Sequence, residues 1–218
     1  DPEHGVWPWA QAALGDAKPE ILEMGFGELN FEQITLLQPD LIVAIGAGLA
    51  AEEYETLTQI ASTVVMPVGY TTQMPWQEHL RLIGQATGLA TTAAAVIAEV
   101  EAQIAATRAA HPEFAGKTVV VAEYLEADSY YIFDPENARI RFLNDLGLVM
   151  PDAAIELHAD GMVNGTISGE RLDLLEADLL IWGVSTRADQ AAIEASPLYQ
   201  QLAVVQQNRD LFYTWTEE

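Results

Sequence analysis

The sequence predicts an α/β fold organised in two lobes, and the main reason is a segment that occurs twice. Residues 32–43 (EQITLLQPDLIV) return as residues 170–181 (ERLDLLEADLLI), with the same offset throughout. In each copy the apolar residues first follow a helical spacing and then form a continuous β-prone run. This change predicts a short helix, a tight turn and a buried strand of a parallel sheet. A chance likeness between two helix–strand units is the alternative.

Both predicted strands end in small residues, at Gly46-Ala47-Gly48 and at Gly183, where the chain must turn sharply. In open α/β sheets, ligands bind outside the carboxyl ends of the strands. Two such ends, one in each half of the chain, predict a ligand cleft between two lobes.

Two helices are predicted between the copies. The first is amphipathic and ends at Gly88, and the second begins at an N-cap at Thr91-Thr92 and ends before His111-Pro112. About twenty residues at ~1.5 Å each span ~30 Å, roughly the diameter of a lobe. The second helix could therefore brace two lobes, and a surface helix without that role is the alternative. The predicted division is an N-terminal lobe at 1–88, a linking helix at 89–111 and a C-terminal lobe at 112–218.

The two ends of the chain carry incomplete patterns. The first strong strand candidate is Glu20 to Met24, and the last, Asp210 to Tyr213, would normally be covered by a following helix. We expect the chain to be trimmed at both ends, so that export information has been cut away.

Composition excludes several classes of protein. Lys and Arg number 9 against 33 Asp and Glu, a formal net charge of −24, which repels nucleic acid and anionic lipid. The absence of cysteine excludes disulfides and thiolate metal sites. No apolar run approaches the ~18 residues that would span a bilayer. The four histidines are isolated, so no metal site is predicted.

Short motifs occur along the chain in a specific order. They are Trp7-Pro8-Trp9, Leu29-Asn30-Phe31-Glu32, Leu36 to Val43, Tyr54-Glu55-Thr56-Leu57, Ile60 to Val64, Trp76-Gln77-Glu78, Leu82-Ile83-Gly84, Pro112 to Val121 and Ile167 to Leu172. In this order the chain resembles the solute-binding proteins of iron-siderophore ABC importers, a group that also contains the cobalamin and haem binders. The resemblance covers nearly the whole chain.

The resemblance implies a class III periplasmic binding protein-like fold, with two Rossmann-like lobes of parallel sheet joined by one long α-helix. It also implies a shallow cleft and delivery of the ligand to a membrane permease. The first strand of the N-terminal lobe and the last helix of the C-terminal lobe are missing from the pattern.

An enzyme is the alternative from a different class. Gly46 to Ala51 follows a predicted strand and opens a helix, as a dinucleotide fingerprint does. That fingerprint also expects an acidic residue about 20 positions on, whereas residues 68–73 contain none. A turn into the ligand cleft is the preferred interpretation. An α/β enzyme that binds a nucleotide or sugar phosphate there is the alternative.

Aromatic residues mostly follow predicted strands, where they would face a cleft. Flat amphipathic rings suit a bulky chelate that is apolar outside and polar at its oxygens. The candidate ligand-binding residues are Trp9, Gly48, Tyr70, Tyr124, Tyr130, Trp182, Arg187 and Trp215. Trp182 is the strongest aromatic candidate, because its partner in the repeat is Ala44. Ordinary packing is the alternative for each ring.

Ferric siderophore complexes are often anionic, so the few basic residues are informative. Arg187 follows the strand that ends at Trp182 and is expected to make a charge-assisted contact with ligand oxygens. Ion pairs with neighbouring acids are the expected role of Arg139 and Arg141.

Glu32 and Glu170 occupy the same place in the two copies, near the start of a helix. An acid there is favoured by the helix dipole, so simple capping is one interpretation. The resemblance implies instead that each docks an arginine of a permease subunit.

The sequence therefore predicts a non-enzymatic, extracytoplasmic binding protein, periplasmic or a cell-surface lipoprotein. It is expected to capture a ferric siderophore and deliver it to an ABC permease. Cobalamin and haem are the alternative ligands, and no resident cofactor is expected.

Overall fold

A computed structural model of the chain describes residues 5–6, 8–22, 28–68, 70, 74–126, 128–159 and 165–214. The chain divides into two compact units, Asp1–Thr72 and Gln73–Glu218. Each unit has a sheet of its own.

The first unit is built on two parallel strands, β1 (Leu41–Ala44) and β2 (Ser62–Val65). Its helices are α1 (Gln11–Leu14), α2 (Phe31–Leu36) and α3 (Ala51–Ile60), and Pro8–Ala10 form a 3₁₀ turn. Because α3 connects β1 to β2 as a crossover, both strands point their carboxyl ends at the same edge. Leu57 of α3 is buried and anchors the helix.

The first copy of the repeat folds in the predicted order of helix, turn and strand. The Asn30 side chain accepts a hydrogen bond from the Gln33 backbone N–H at 3.0 Å and so caps α2. The helix stops because Gln38 takes a φ of 48° and Pro39 cannot extend it. The prediction of a buried strand is wrong here, since Val43 of β1 is 46% exposed. Two strands have too few neighbours to cover both of their faces.

The second unit contains a five-stranded mixed sheet, in the order β5-β4-β3-β6-β7. Its strands are β3 (Val119–Glu126), β4 (Ser129–Ile132), β5 (Thr166–Ser168), β6 (Leu179–Val184) and β7 (Asp210–Thr214). Strands β3, β6 and β7 are parallel, whereas β4 and β5 are antiparallel to their neighbours. The strand predicted at residues 210–213 is confirmed as β7. The antiparallel part was not predicted.

The second unit also contains the following helices. They are α4 (Trp76–Ala86), α5 (Ala90–Ala110), α6 (Ala138–Asp145), α7 (Asp152–Ala159), α8 (Arg187–Glu194), α9 (Pro197–Gln200) and α10 (Ala203–Gln206), with a 3₁₀ turn at Pro112–Phe114. Residues 119–122 of β3 are fully buried, as expected of a parallel strand covered on both faces.

The second copy of the repeat differs from the prediction. Its first part is a 3₁₀ segment, Gly169–Leu175, with a kink at Arg171, rather than an α-helix. Leu172, Leu174 and Leu175 are all buried, and these three positions do not share one face of an α-helix. Burying all three therefore requires the kink. The strand that follows, β6, is present as predicted.

The long helix predicted between the copies is present as α5. It starts at Ala90, with Leu89 in the N-cap position, so the predicted cap at Thr91-Thr92 is wrong. It spans ~30 Å at ~1.5 Å per residue. Both α4 and α5 group with the second unit by contacts, and the role of α5 as a brace stays a prediction.

Two further predictions concern the first unit and the membrane. Of the strand predicted at Glu20 to Met24, residues 20–22 form no strand and the remainder lies outside the described residues.

Among the described helices, none is long and apolar enough to cross a membrane.

Candidate functional site

A pocket lies at the carboxyl ends of β1 and β2 in the first unit. Its volume is about 530 Å³. Its lining includes Gly46, Gly48, Ala51, Tyr54, Met66 and Tyr70. The two glycines take φ values of 80° and 66°, which L side chains rarely adopt, so the turn depends on them. Gly48 and Tyr70, two of the candidate ligand-binding residues, therefore line this pocket, and their contact with a ligand stays a prediction.

The helix that starts at this pocket, α3, has acidic side chains in its first turn. The backbone N–H of Ala50 donates a hydrogen bond to the Glu53 carboxylate at 2.7 Å, and Glu52 lies beside it in the first turn of α3. A helix N-terminus otherwise attracts phosphate through its free N–H groups and its dipole. Here the Glu53 carboxylate binds one of these N–H groups and Glu52 adds a second negative charge, so the helix start does not suit a nucleotide or a sugar phosphate.

In the second unit, three parallel strands present their carboxyl ends together. Glu123 of β3, Gly183 of β6 and Tyr213 of β7 lie side by side in register. We call these residues, with Tyr124, the carboxyl edge of the second sheet. Tyr124 is half-buried and meets Tyr130 edge-on, with ring centroids 5.9 Å apart.

Arg187 begins α8 just beyond the end of β6. The Thr186 side chain accepts from the Asp189 backbone N–H at 3.2 Å, and the Asp189 carboxylate accepts from the Thr186 backbone N–H at 2.8 Å. This capping box fixes the start of the helix. The Arg187 side chain is exposed and makes no hydrogen bond or ion pair within the described part of the chain. A cation at a helix N-terminus opposes the dipole, so this arginine does not serve the helix.

A charged cluster at the carboxyl edge was not predicted from sequence. Burial raises the pKa of Glu123 above its ordinary value, and the charge of Arg139 offsets part of that effect. The Arg139 guanidinium lies 4.9 Å from the ring centre of Phe133. Burial likewise raises the pKa of Tyr213, which Arg139 contacts. The available signal was Glu123 itself, an acid inside the apolar run of β3 at its ligand end.

The structure overturns the prediction for Trp182. Its side chain is 0% exposed and packs among rings of the second unit, with centroids 5.7 Å from Tyr130, 6.0 Å from Tyr199 and 6.3 Å from Phe212. Side chains alternate along a strand, and Trp182 shares the buried face with Leu180. It is a core residue and cannot contact a ligand.

Tyr130 is corrected for the same reason. It is 4% exposed and belongs to the same core cluster as Trp182, so it is not a surface for a bulky chelate. Trp9 is 72% exposed in the first unit, which leaves its ligand role a prediction. Trp215 lies outside the described residues.

Two arginines were expected to form ion pairs. Arg141 pairs with Glu136, as expected. Arg139 lies against Phe133, and its charge acts on Glu123.

Glu32 and Glu170 are both exposed, each in the first turn of its helical segment. Among the described residues neither carboxylate has an ion-pair partner. Their exposure is compatible with docking, which stays a prediction.

The family of the chain follows from a comparison of its whole length with known families. A family model described as "Periplasmic binding protein" matches residues 2–217. The chain belongs to this periplasmic binding protein family. Membership implies an extracytoplasmic location. Because the family is one of binding proteins, the prediction that the chain is not an enzyme is confirmed, and the enzyme alternative is set aside.

Individual periplasmic binding proteins are similar along almost all of the chain. The ferric enterobactin-binding periplasmic protein FepB of Escherichia coli O6:H1 (strain CFT073) is 28% identical over 96% of this chain. The chain spans 66% of the length of FepB, slightly less than two thirds.

Two crystal structures similar to this chain confirm the fold. A periplasmic solute binding protein from Mycobacterium smegmatis has a TM-score of 0.83 and 32% identity, over 96% of this chain and 70% of that one. PiaA from Streptococcus pneumoniae, solved in complex with ferrichrome, has a TM-score of 0.77 and 25% identity, over 96% and 71%. The predicted α/β fold of a periplasmic binding protein is therefore correct.

Proposed function

We propose that this periplasmic binding protein captures a ferric siderophore outside the cytoplasm and delivers it to an ABC importer. Relatives support the ligand class, since FepB is described as binding ferric enterobactin and PiaA was solved with ferrichrome. Both relatives are longer than this chain, so their ligands enter here as a proposal.

The observation that carries the proposal is the pocket of the first unit. It lies at the carboxyl ends of two parallel strands, where ligands of α/β sheets bind. Its volume of about 530 Å³ falls within the usual range of ligand pockets. Tyr54 and Tyr70 both line it, and each supplies an apolar ring with a polar tip. Such a surface suits a chelate with an apolar exterior and exposed oxygen atoms.

The second unit has a hydrogen-bond donor of its own just beyond its carboxyl edge. Arg187 is exposed there, and its guanidinium presents several N–H donors in a fixed plane. The half-buried Tyr124 adds a ring at the same edge. We assign Arg187 to the oxygen atoms of the chelate.

Delivery requires contact with the permease. Glu32 in the first unit and Glu170 in the second are exposed carboxylates at equivalent positions of the repeat. We assign them to basic residues of the permease subunits, where opposite charges orient the complex and increase its rate of association.

A titration tests the ligand class. The protein is titrated with ferric siderophores by calorimetry and by quenching of tryptophan fluorescence. The metal-free siderophores, cobalamin and haem serve as comparisons. We expect saturable binding of at least one ferric siderophore at micromolar concentration or below, and much weaker binding of its metal-free form. Tighter binding of cobalamin or haem than of every ferric siderophore would overturn the proposal.

A further inference from the structure

Among the described residues, the pocket of the first unit has no group in its lining that could neutralise an anion. None of its described lining residues is charged. The sequence around it agrees, because residues 41–51 and 56–77 contain no Asp, Glu, Lys or Arg. In a chain in which 19% of the residues are charged, these are long uncharged stretches of sequence.

Two negative charges adjoin the pocket in the first turn of α3. Ala50, which lines the pocket, donates its backbone N–H to the carboxylate of Glu53, and Glu52 is next to it. An anionic ligand at the start of α3 would lie next to these two carboxylates, and one of the N–H groups there, that of Ala50, already binds Glu53. Residues 1–72 carry eleven acids against a single base, Lys18, which is not among the pocket residues.

Most basic residues of the second unit form ion pairs with acidic residues. Those in ion pairs are Arg81, Lys117, Arg141, Arg171 and Arg209. At the carboxyl edge, Arg139 lies next to Glu123, which opposes its charge. Among the described residues near the carboxyl edge, Arg187 is then the exposed guanidinium that can contact a ligand. One guanidinium can donate hydrogen bonds to a chelate but cannot balance several negative charges.

We infer that the pocket of the first unit selects a ferric chelate without net negative charge, of the tris-hydroxamate class. This inference rests on the proposed function. Three hydroxamates each carry one negative charge and cancel that of Fe(III). Three catecholates each carry two, so a tris-catecholate complex keeps three negative charges. The net charge of −24 and the two carboxylates beside the pocket repel such a trianion. A neutral or cationic hydroxamate complex carries no such penalty.

The first arm of the test compares ligand charge. Ferric complexes of a cationic linear tris-hydroxamate, a neutral cyclic tris-hydroxamate and a trianionic tris-catecholate are titrated by calorimetry in low and in high salt. We expect a hydroxamate complex to bind about 100-fold more tightly than the catecholate at low salt. Salt should raise the affinity for the catecholate by screening repulsion and leave that for the neutral complex nearly unchanged.

The outcomes separate this inference from the proposed function. Tightest binding of the tris-catecholate, with an affinity that falls as salt rises, would overturn the charge selection and leave siderophore capture intact. Failure of all three complexes to bind would overturn the proposed function itself.

A second arm changes one charge. Glu53→Gln keeps an oxygen acceptor for the Ala50 N–H but removes the negative charge, so α3 should keep its start. Glu99→Gln, an exposed position on α5, is the matched control. We expect the first variant to improve catecholate binding ~3-fold at low salt without altering binding of the neutral complex, and the control to change neither. Equal shifts for both chelates, or an equal effect of the control, would contradict the assignment.

Discussion

Asp178 and Thr118 form reciprocal hydrogen bonds at the start of two neighbouring strands. The Asp178 carboxylate accepts hydrogen bonds from the Thr118 backbone N–H at 3.0 Å and from its hydroxyl at 3.2 Å. The Thr118 hydroxyl in turn accepts from the Asp178 backbone N–H at 2.8 Å. Lys117 and Arg209 also contact this carboxylate. The contacts join β3 to β6 at the amino ends of the strands, opposite to the carboxyl edge.

This arrangement predicts a stability that depends on pH. The pKa of Asp178 is lowered to about 2, first by the hydrogen bond from the Thr118 backbone and then by the Lys117 ammonium. Aspartate in an unfolded chain titrates near ~3.9. A carboxyl group whose pKa is lowered by folding stabilises the fold at pH values above its pKa in the unfolded chain. This contribution is therefore complete above about pH 5 and is lost as the pH falls towards 2.

Asp178→Asn should lower the free energy of unfolding by about 1 kcal/mol at pH 7, a value reduced because the side chain is partly exposed. The difference from wild type should shrink as the pH falls from 5 to 2, measured by urea unfolding. Asp40→Asn, the exposed equivalent in the first copy, is the matched control and should change little. A loss that does not vary with pH would show that the carboxylate charge is not involved.

Trp182→Ala should cost stability rather than ligand affinity. Removing this fully buried ring should lower the free energy of unfolding by about 3–5 kcal/mol, because it leaves a cavity between Tyr130 and Phe212. Urea unfolding measures the loss, and titration of the fraction that remains folded measures the affinity. Unchanged stability with a large loss of affinity would return Trp182 to the ligand site.

Tyr70→Ala should weaken ligand binding about tenfold without changing stability. The ring lines the pocket of the first unit and is 42% exposed, so its removal takes away ligand contact but little core. Val68→Ala is the control, since Val68 is exposed close by and does not line the pocket. Calorimetric titration with the tightest ferric siderophore and thermal melting distinguish the two effects. Equal losses in both variants would point to a general disturbance of the loop.

Arg187→Ala should weaken a ferric siderophore by about 1.5–3 kcal/mol if its contact with ligand oxygens is charge-assisted. The melting temperature should stay the same or rise slightly, because a cation leaves the N-terminus of α8. Arg171→Ala serves as the control, since that exposed side chain pairs with Asp173. Unchanged affinity after the Arg187 substitution would remove this residue from the ligand site.

Reversing the charges of Glu32 and Glu170 together, to Lys, should abolish siderophore uptake in cells. Affinity for the siderophore and the melting temperature should stay nearly unchanged, because both side chains are exposed. The control reverses Glu55 and Glu156, one exposed acid in each unit. Normal uptake by the first double variant would leave helix capping as the role of these acids.

Local signals in the sequence determined much of this fold. The helical spacing that changes to a β-prone run placed β1 and β6, and the alanine-rich segment before His111-Pro112 placed α5. The small residues at Gly46 and Gly48 marked the turn that now borders the pocket. These features depend on the spacing of apolar residues and on backbone sterics, which neighbouring residues in the chain decide.

Other features depended on which segments pack together. Trp182 was expected at a ligand surface because its partner in the repeat is Ala44, but rings of β4, β7 and α9 pack around it. The 3₁₀ form of Gly169–Leu175 reflects the burial of three leucines at once. Strand register places Glu123 and Tyr213 on either side of Gly183, and the packing of α6 brings Arg139 to both. Burial and register are set by contacts between residues far apart in the chain, so no local pattern could specify them.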